Sequence, residues 1–216
     1  MINCDPEDCR LEHNSMEASS SDQKNPYPAP MGILDEIIRV DSYALVTYIH
    51  GELGEFLYRL RQEIVPSCQL RSHVSLLPPR PLAGDEGSAI RLIERISERH
   101  PGFSVALNDI EVFPVTNVIY LSLQSGHEEL TRIHGDLNRG SLAYAEPFSY
   151  HPHITLGQEL DPANFSASLA HCRRRWEEYK GPRTFPVDTL TFVQNTANCG
   201  WLDLRDVQME MAALPR

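Results

Sequence analysis

The stretch His73-Val74-Ser75-Leu76-Leu77 recurs in altered form eighty positions later, as His153-Ile154-Thr155-Leu156-Gly157. Both read histidine, aliphatic, hydroxyl, leucine, and both lie within runs whose composition is typical of β-strands. Side chains alternate between the two faces of a strand, so each histidine shares a face with its hydroxyl residue. The first motif (73–77) and the second motif (153–157) therefore predict two strands, each with one apolar face and one face carrying an imidazole beside a hydroxyl.

Helical and strand patterns alternate around the two motifs. Strands are predicted near residues 42–50, 71–77, 103–112, 117–123, 149–156, 184–192 and 201–207, and helices near 53–64, 89–96, 130–137 and 165–176. Pro78 and Pro79 are expected to end the first motif strand, because proline cannot donate to a sheet. The order favours an α+β fold with helices packed on sheet faces. One motif in each half indicates a pseudo-twofold arrangement of two lobes.

The first 30 residues differ in composition from the rest of the chain. They carry six acidic and two basic residues, have few large apolar side chains, and end in Asn25-Pro26-Tyr27-Pro28-Ala29-Pro30. Such a segment buries too little apolar surface to fold. We expect residues 1–30 to be a disordered acidic leader and residues 31–216 to form one bilobal domain.

The charge and the cysteines restrict the function. A net charge of −11 opposes binding to long duplex nucleic acid, which depends on neutralising many phosphates. Only two of the basic residues are lysines, and arginine suits fork-like contact with a single phosphate. No membrane span or signal peptide is visible, and the five cysteines are scattered. We therefore expect a monomeric cytoplasmic protein with reduced thiols, no membrane partner and a short nucleotide or RNA terminus as ligand.

Two imidazoles and two hydroxyls in one cleft suffice for metal-free attack on a phosphodiester. A base must take a proton from water, an acid must protonate the departing oxygen, and donors must hold the phosphoryl oxygens. Histidine serves in either proton role near neutral pH. His73 and His153 are therefore the candidate catalytic pair, and Ser75 and Thr155 the candidate phosphate donors.

The segments Ser72-His73-Val74-Ser75-Leu76 and Tyr150-His151-Pro152-His153-Ile154-Thr155-Leu156 resemble the paired H-x-[S/T]-x motifs of the 2H phosphoesterase superfamily. They are most similar to its bacterial branch of 2′-5′ RNA ligases and RNA 2′,3′-cyclic phosphodiesterases. This resemblance implies a bilobal α+β fold, in which antiparallel sheets form a central cleft and the helices pack outside. It also implies metal-independent opening of 2′,3′-cyclic phosphates to 2′-phosphates, with reversible 2′-5′ RNA ligation as a further activity and no cofactor.

Carried over by position, His73 and His153 match the family's acid–base pair, in either order, and Ser75 and Thr155 match its phosphate-holding hydroxyls. The chain departs from the family pattern where Leu77-Pro78-Pro79-Arg80-Pro81 replaces an aromatic-Leu-Gly sequence. The loop on the substrate side is therefore expected to differ. Two rival functions are a hydrolase of another cyclic phosphodiester, such as an ADP-ribose cyclic phosphate, and a non-catalytic RNA- or nucleotide-binding module.

Four further residues are candidate substrate contacts because they lie near the motifs. Arg71 precedes His73 by two positions, Arg80 follows in the proline-rich stretch, and His151 and Tyr150 precede the second motif. Each arginine has solvated surface as its alternative, and Tyr150 has core packing. His151, His153 and His73 would together make three zinc ligands, an alternative that we disfavour because no further ligand stands at a suitable spacing. We therefore predict no metal.

Overall fold

The computed structural model describes residues 38–197 and 200–210. Within these ranges the chain forms eight strands and four α-helices. In chain order these are β1 (Arg39–Tyr48), α1 (Gly51–Ile64), β2 (His73–Arg80), α2 (Glu86–Ser97), β3 (Phe103–Phe113), β4 (Val118–Ser125), α3 (His127–Leu137), β5 (Ile154–Gly157), α4 (Pro162–Glu178), β6 (Thr184–Val187), β7 (Thr189–Thr196) and β8 (Trp201–Gln208). The predicted leader, residues 1–30, lies outside the described residues.

The strands form two antiparallel sheets of four strands each. The first sheet has the order β2-β1-β7-β8, and the second has the order β5-β4-β3-β6. The two strands that carry the motifs, β2 and β5, are each an edge strand of their sheet, and these two edges contact one another. The predicted α+β fold of two antiparallel sheets with helices is confirmed. The topology therefore brings the two motifs together where β2 meets β5. This line of contact between the two sheets is the seam.

The alternation predicted for the motif strands is present. Val74 and Leu76 are fully buried in the main hydrophobic core, and so is Leu156. In the first sheet, Tyr48 pairs with His73 and Val46 pairs with Ser75. The same sheet has a second, small apolar cluster on the face away from the main core, formed by Ala44, Val46, Tyr48 and Val193 with Trp201 packed against it. The histidine and the serine of the first motif therefore share a face with this second cluster.

Each motif strand is reached in the same way. A strand is followed by a helix and then by the motif strand, which returns antiparallel to the first: β1-α1-β2 in one half and β4-α3-β5 in the other. Gly126 is the N-cap residue of α3, and its φ of 88° suits glycine. A Cβ at that position would lie 2.6 Å from Val105 Cγ2. The repeated unit explains why two distant sequences present their polar faces in similar settings.

Three strand predictions need correction. The second motif strand is shorter than the predicted 149–156, since β5 runs from Ile154 to Gly157 and His153 lies just before it. The single strand predicted over residues 184–192 is two strands, since β6 pairs with β3 in the second sheet and β7 pairs with β1 in the first. Asp188 is the residue at which the chain passes from one sheet to the other. Strand β2 also continues through Pro78 and Pro79 to Arg80. It is an edge strand, where a proline nitrogen need not find a partner.

In the described part of the chain, no helix combines the length and the apolar character needed to cross a membrane. Two cysteines fall in this part, Cys68 and Cys172, and both are free thiols. The remaining three cysteines lie outside the described residues.

Candidate active site

His73 is the first residue of β2 and is only 9% exposed. Its ring Nδ1 lies 2.7 Å from the carbonyl oxygen of Arg71. A carbonyl can only accept, so Nδ1 must carry the proton that it donates, and Nε2 keeps its lone pair when the ring is neutral. The Trp201 ring packs against the imidazole, with the ring centres 4.6 Å apart. The ring is therefore fixed in one tautomer.

His153 immediately precedes β5 and is half-buried. Its Nδ1 lies 2.7 Å from the carbonyl oxygen of His151, which fixes the same tautomer by the same i−2 contact. Two aromatic rings approach it edge-on, Phe113 with a centre-to-centre distance of 4.9 Å and Tyr120 with 5.3 Å. The two motif histidines thus share one arrangement, with Nε2 left for chemistry.

The two halves of the seam are connected through the motifs. The Tyr150 hydroxyl, three residues before His153, donates a 2.9 Å hydrogen bond to the backbone oxygen of Ser75. The two imidazoles also lie close enough that a charge on His153 opposes protonation of His73. The structure therefore brings the two predicted catalytic histidines together at the contact between β2 and β5.

Ser75 and Thr155, the hydroxyl residues of the two motifs, are half-buried. Within the described residues, neither Ser75 Oγ nor Thr155 Oγ1 forms a hydrogen bond. The adjacent Ser72, by contrast, donates from its hydroxyl to the Gly54 carbonyl at 2.9 Å. Nor does either histidine Nε2 have a polar partner in the described parts of the chain. Four polar groups at the seam are thus free to meet a ligand.

The electrostatic settings of the two histidines differ. Burial and then the nearby Arg61 guanidinium lower the pKa of His73 to about 3, with smaller contributions from His153 and Arg71. Burial also lowers the pKa of His153, where the backbone hydrogen bond to His151 acts in the opposite direction. No arginine contributes to the lowering at His153. Burial therefore opposes protonation at both histidines, and a nearby arginine adds to this effect only at His73.

The candidate contacts His151 and Tyr150 occupy different places. His151 is exposed, and its ring lies 5.4 Å from the Phe113 ring and 5.7 Å from His127, so it is at the rim beside His153. Tyr150 is turned into the protein, where it stacks on His134 with 3.9 Å between ring centres and 2° between planes. Burial and the charge of Glu146 raise the pKa of the Tyr150 hydroxyl. Tyr150 therefore connects the two motifs.

The two candidate arginines, Arg71 and Arg80, lie in different environments. Arg71 is half-exposed beside His73, forms an ion pair with Asp203, and lies 3.6 Å above the centre of the Tyr48 ring. Arg80 is only 2% exposed, so the solvated-surface alternative is wrong for it. Its guanidinium is taken up by protein acceptors, which are the Pro78 and Leu142 carbonyls, the Asn138 side chain and the Glu146 carboxylate. These contacts favour a structural role for Arg80, and leave Arg71 as the arginine at the cleft.

Three side chains at the site were not predicted from the sequence. Tyr48 and Tyr120 stand on the strands that pair with β2 and β5, and each hydroxyl donates to a carboxylate. Their places depend on strand register, which no local pattern gives. Arg61 had a visible signal, because it interrupts the apolar stripe of α1 that includes Leu57 and Leu60. A charged residue on the buried face of a helix is uncommon, and this marks Arg61 as a candidate functional residue.

A metal site does not form here from the described residues. No group of three or more His, Cys, Asp or Glu side chains in the described part of the chain is arranged to hold a metal ion. His151 and His153 have their ring centres 6.4 Å apart, with each nearest to aromatic neighbours. The arrangement therefore does not favour the zinc alternative.

Comparison with known proteins places this geometry in a family. The family model described as the 2′-5′ RNA ligase superfamily matches residues 54–198. A protein of Geobacillus kaustophilus named "Putative phosphoesterase" is 30% identical over 135 residues, which is 57% of this chain and 73% of that protein. A protein of Halalkalibacterium halodurans with the same description is 23% identical over 151 residues, covering 65% of this chain and 85% of the relative.

Solved structures show the same fold. The crystal structure of E. coli LigT complexed with phosphate superimposes with a TM-score of 0.55 at 18% identity, covering 80% of this chain and 99% of LigT. The complex of E. coli LigT with 3′-AMP gives a TM-score of 0.54 at 19% identity, over 82% of this chain and all of LigT. The family model covers both motifs and the seam between them, and the chain belongs to the 2′-5′ RNA ligase superfamily of 2H phosphoesterases.

Proposed function

We propose that this protein is a metal-independent phosphodiesterase that opens 2′,3′-cyclic phosphates of RNA ends or nucleotides to 2′-phosphates. The observation that carries the proposal is the matched pair of imidazoles, each with Nδ1 bonded to its own i−2 carbonyl and Nε2 unengaged. Family membership supports an activity on phosphoesters at the coarse level. The E. coli LigT structures with phosphate and with 3′-AMP support a nucleotide ligand. We expect the activity in the cytoplasm.

The electrostatic difference between the histidines supports separate proton roles. His73 is buried beside Arg61 and near Arg71, so its neutral form is favoured and it suits the general base. His153 is more exposed to solvent and has no arginine acting on it, so it suits the role of the histidine that carries the proton. When the phosphate anion binds between them, its negative charge favours protonation further. We assign His73 as base and His153 as acid.

The proposed step is an in-line displacement at phosphorus. His73 Nε2 takes a proton from water as the water oxygen bonds to phosphorus, and the bond from phosphorus to O3′ breaks. His153 Nε2 gives its proton to O3′, so the products are a 2′-phosphate and a free 3′-hydroxyl. Ser75 and Thr155 donate hydrogen bonds to the non-bridging oxygens. If an RNA 5′-hydroxyl replaces water, the same proton transfers make a 2′-5′ linkage, which is the ligation that we include in the proposal.

The test is turnover of 2′,3′-cyclic nucleotides and cyclic-phosphate RNA ends in EDTA, by wild type, His73→Ala and His153→Ala. Each substitution is expected to lower kcat at least about a hundredfold, the usual order for a positioned acid or base. His171→Ala is the matched control, since that ring is on the surface of α4 and bonds to Glu63. It should leave kcat within about twofold of wild type, because a surface substitution of this kind has little effect on the fold.

Other outcomes would redirect the proposal. Binding of the cyclic nucleotide without turnover by wild type would indicate a non-catalytic binding module. Turnover of an ADP-ribose cyclic phosphate but not of RNA ends would keep the fold and the mechanism and change the substrate. Loss of activity in EDTA would bring back a metal and contradict the two-histidine mechanism.

A further inference from the structure

Arg61 is a buried cation that has no partner among the residues the structure describes. It lies on α1, it is 8% exposed, and it faces inward beside Leu57 and Leu60. Its Nε is fully enclosed and has no hydrogen-bond acceptor. No carboxylate, carbonyl or hydroxyl of the described residues binds the guanidinium. Burial lowers its pKa, and the only opposing influence is Cys68. An enclosed charge in this state is unfavourable, since burial removes hydration that none of the described residues replaces.

Arg80, a second buried arginine of the same molecule, is paired with hydrogen-bond acceptors and a carboxylate. Arg80 is enclosed to a similar degree, yet three of its nitrogens find acceptors and it forms an ion pair with Glu146. Arg80 therefore has the contacts of a structural arginine. Among the described residues Arg61 has none of them, so its charge is available to a group that these residues do not supply.

The helix that carries Arg61 is bonded to the start of the first motif strand. The strand that begins with His73 is tied to α1, because the Ser72 hydroxyl donates to the Gly54 carbonyl at 2.9 Å. The same helix packs on β5 at the other side of the seam, where Ile64 lies against Gly157. After burial, the Arg61 guanidinium has the largest effect on the protonation of His73. Helix α1 therefore brings an unpaired positive charge to the seam on the His73 side.

The other arginine near His73 is already compensated. The Arg71 guanidinium forms an ion pair with Asp203, which also accepts from the Tyr48 hydroxyl at 2.8 Å. A phosphate entering beside His73 would have to compete with that carboxylate for Arg71. Arg61 offers its positive charge without such competition.

We propose that Arg61 is an anion-binding residue of this cleft, and that its guanidinium becomes paired when a phosphate occupies the space beside His73. Charge-assisted contacts between arginine and phosphate are among the stronger polar interactions in proteins. A charge already in place in a water-poor site stabilises an anion without reorganisation. The inference rests on the proposed function for the identity of the anion as a phosphate.

The experiment compares inorganic phosphate binding by wild type and Arg61→Met, using calorimetric Kd and the phosphate-induced rise in Tm. Arg61→Met is expected to weaken phosphate binding at least tenfold and to abolish most of the rise in Tm. Without phosphate its Tm should equal or exceed that of wild type, because an unpaired buried charge has been replaced by an apolar chain of similar length. Arg205→Met removes the same charge at an exposed ion pair with Glu94, and should leave the phosphate Kd unchanged.

Arg80→Met is the control for burial. It removes the buried ion pair between Arg80 and Glu146, so its Tm should fall, opposite in sign to the effect at Arg61. If Arg61→Met does not fold, Arg61→Gln supplies the same comparison with a polar, uncharged side chain. A phosphate Kd within about twofold of wild type in the folded Arg61 variant would overturn the proposal, as would a wild type that binds no phosphate.

The failure of this inference is distinguishable from the failure of the proposed function. Phosphate binding needs no turnover, so Arg61-dependent binding by a protein that opens no cyclic phosphate would leave the inference standing and remove the function. If the two histidine variants lose activity while Arg61→Met turns over and binds phosphate as wild type does, the function stands and the inference falls.

Discussion

The two halves of the cleft are built alike around their histidines. In each half the imidazole Nδ1 lies 2.7 Å from the carbonyl two residues earlier. In each half a tyrosine on the neighbouring strand also donates its hydroxyl to a carboxylate, Tyr48 to Asp203 at 2.8 Å and Tyr120 to Glu111 at 2.9 Å. The shared hydrogen bonds hold both imidazole rings in one tautomer. A difference in protonation between the two histidines must therefore come from the charged groups around each ring.

The two halves differ in the charged groups that surround the histidine. His73 is enclosed by Trp201 and lies near Arg61 and Arg71, whereas His153 meets aromatic rings and the exposed His151. Cations beside a ring favour its neutral form, and their absence leaves protonation easier. The proposed base and acid roles thus depend on neighbours outside the motif, which the repeated sequence does not specify.

The largest effect is expected with a substrate whose leaving group needs no proton. On a nitrophenyl phosphodiester, His153→Gln should keep most of the wild-type kcat, because the departing nitrophenolate needs no general acid. His73→Gln should still lose at least about a hundredfold, because water must be deprotonated with either substrate. The measurement is kcat for both variants on both substrates. Equal losses on the activated substrate would contradict separate roles, and rescue of His73→Gln alone would reverse them.

The pH dependence should show the same asymmetry. With His73 as base and a pKa of about 3, kcat/KM should not fall on the acid side until the pH approaches 3. On the alkaline side the acid His153 must stay protonated, and its pKa lies below the usual 6.5. Above that pKa, kcat/KM should fall about tenfold per pH unit. A profile measured between pH 4 and 9 that rises toward alkaline pH would contradict the assignment.

His73 should contribute to the loss of stability in acid. The folded protein disfavours a proton on His73 down to a pH of about 3, while the unfolded chain accepts it below pH 6.5. The unfolded state thus binds more protons between these values, so stability is lost as the pH falls through this window. One such group contributes up to about 1.4 kcal/mol per pH unit. His73→Asn should therefore flatten the pH dependence of the urea unfolding free energy measured from pH 6.5 to 4.

The motifs were predictable because their signal is local. A period of two in Val74 and Leu76, repeated in Ile154 and Leu156, is enough to place the aliphatic residues in the core and the histidines on the other face. The fold class followed from the order of patterns along the chain. Nothing more than strand geometry was needed for this part of the site.

The remainder depends on partners that are distant in sequence. The split at Asp188 arises because β6 and β7 pair in different sheets, and a continuous strand-like composition carries no mark of that change. Arg80 reads as a surface residue until Glu146 and Asn138, some sixty positions later, are seen to enclose it. The charge around His73 comes from Arg61 on a helix, so the difference between the histidines could not be read from the motifs.

The smallest effect is expected at the connection between the halves. Tyr150→Phe removes the 2.9 Å hydrogen bond to the Ser75 carbonyl and keeps the stack on His134. We expect a loss of about 1 kcal/mol in unfolding free energy, together with a severalfold lower kcat at nearly unchanged KM. The kinetic change follows because the hydroxyl holds the first motif strand to the segment that carries His153, and a small shift between acid and base slows the reaction more than it weakens binding.

Tyr179→Phe is the matched control, since that hydroxyl also donates to a carbonyl, Pro182 at 3.3 Å, but far from the seam. It should cost a similar or smaller amount of stability and leave kcat unchanged. Equal kcat values for the two tyrosine variants would show that the hydroxyl of Tyr150 stabilises the fold without positioning the motifs. A lower kcat for Tyr150→Phe alone would mean that the two halves work as one site only when this hydrogen bond sets their separation.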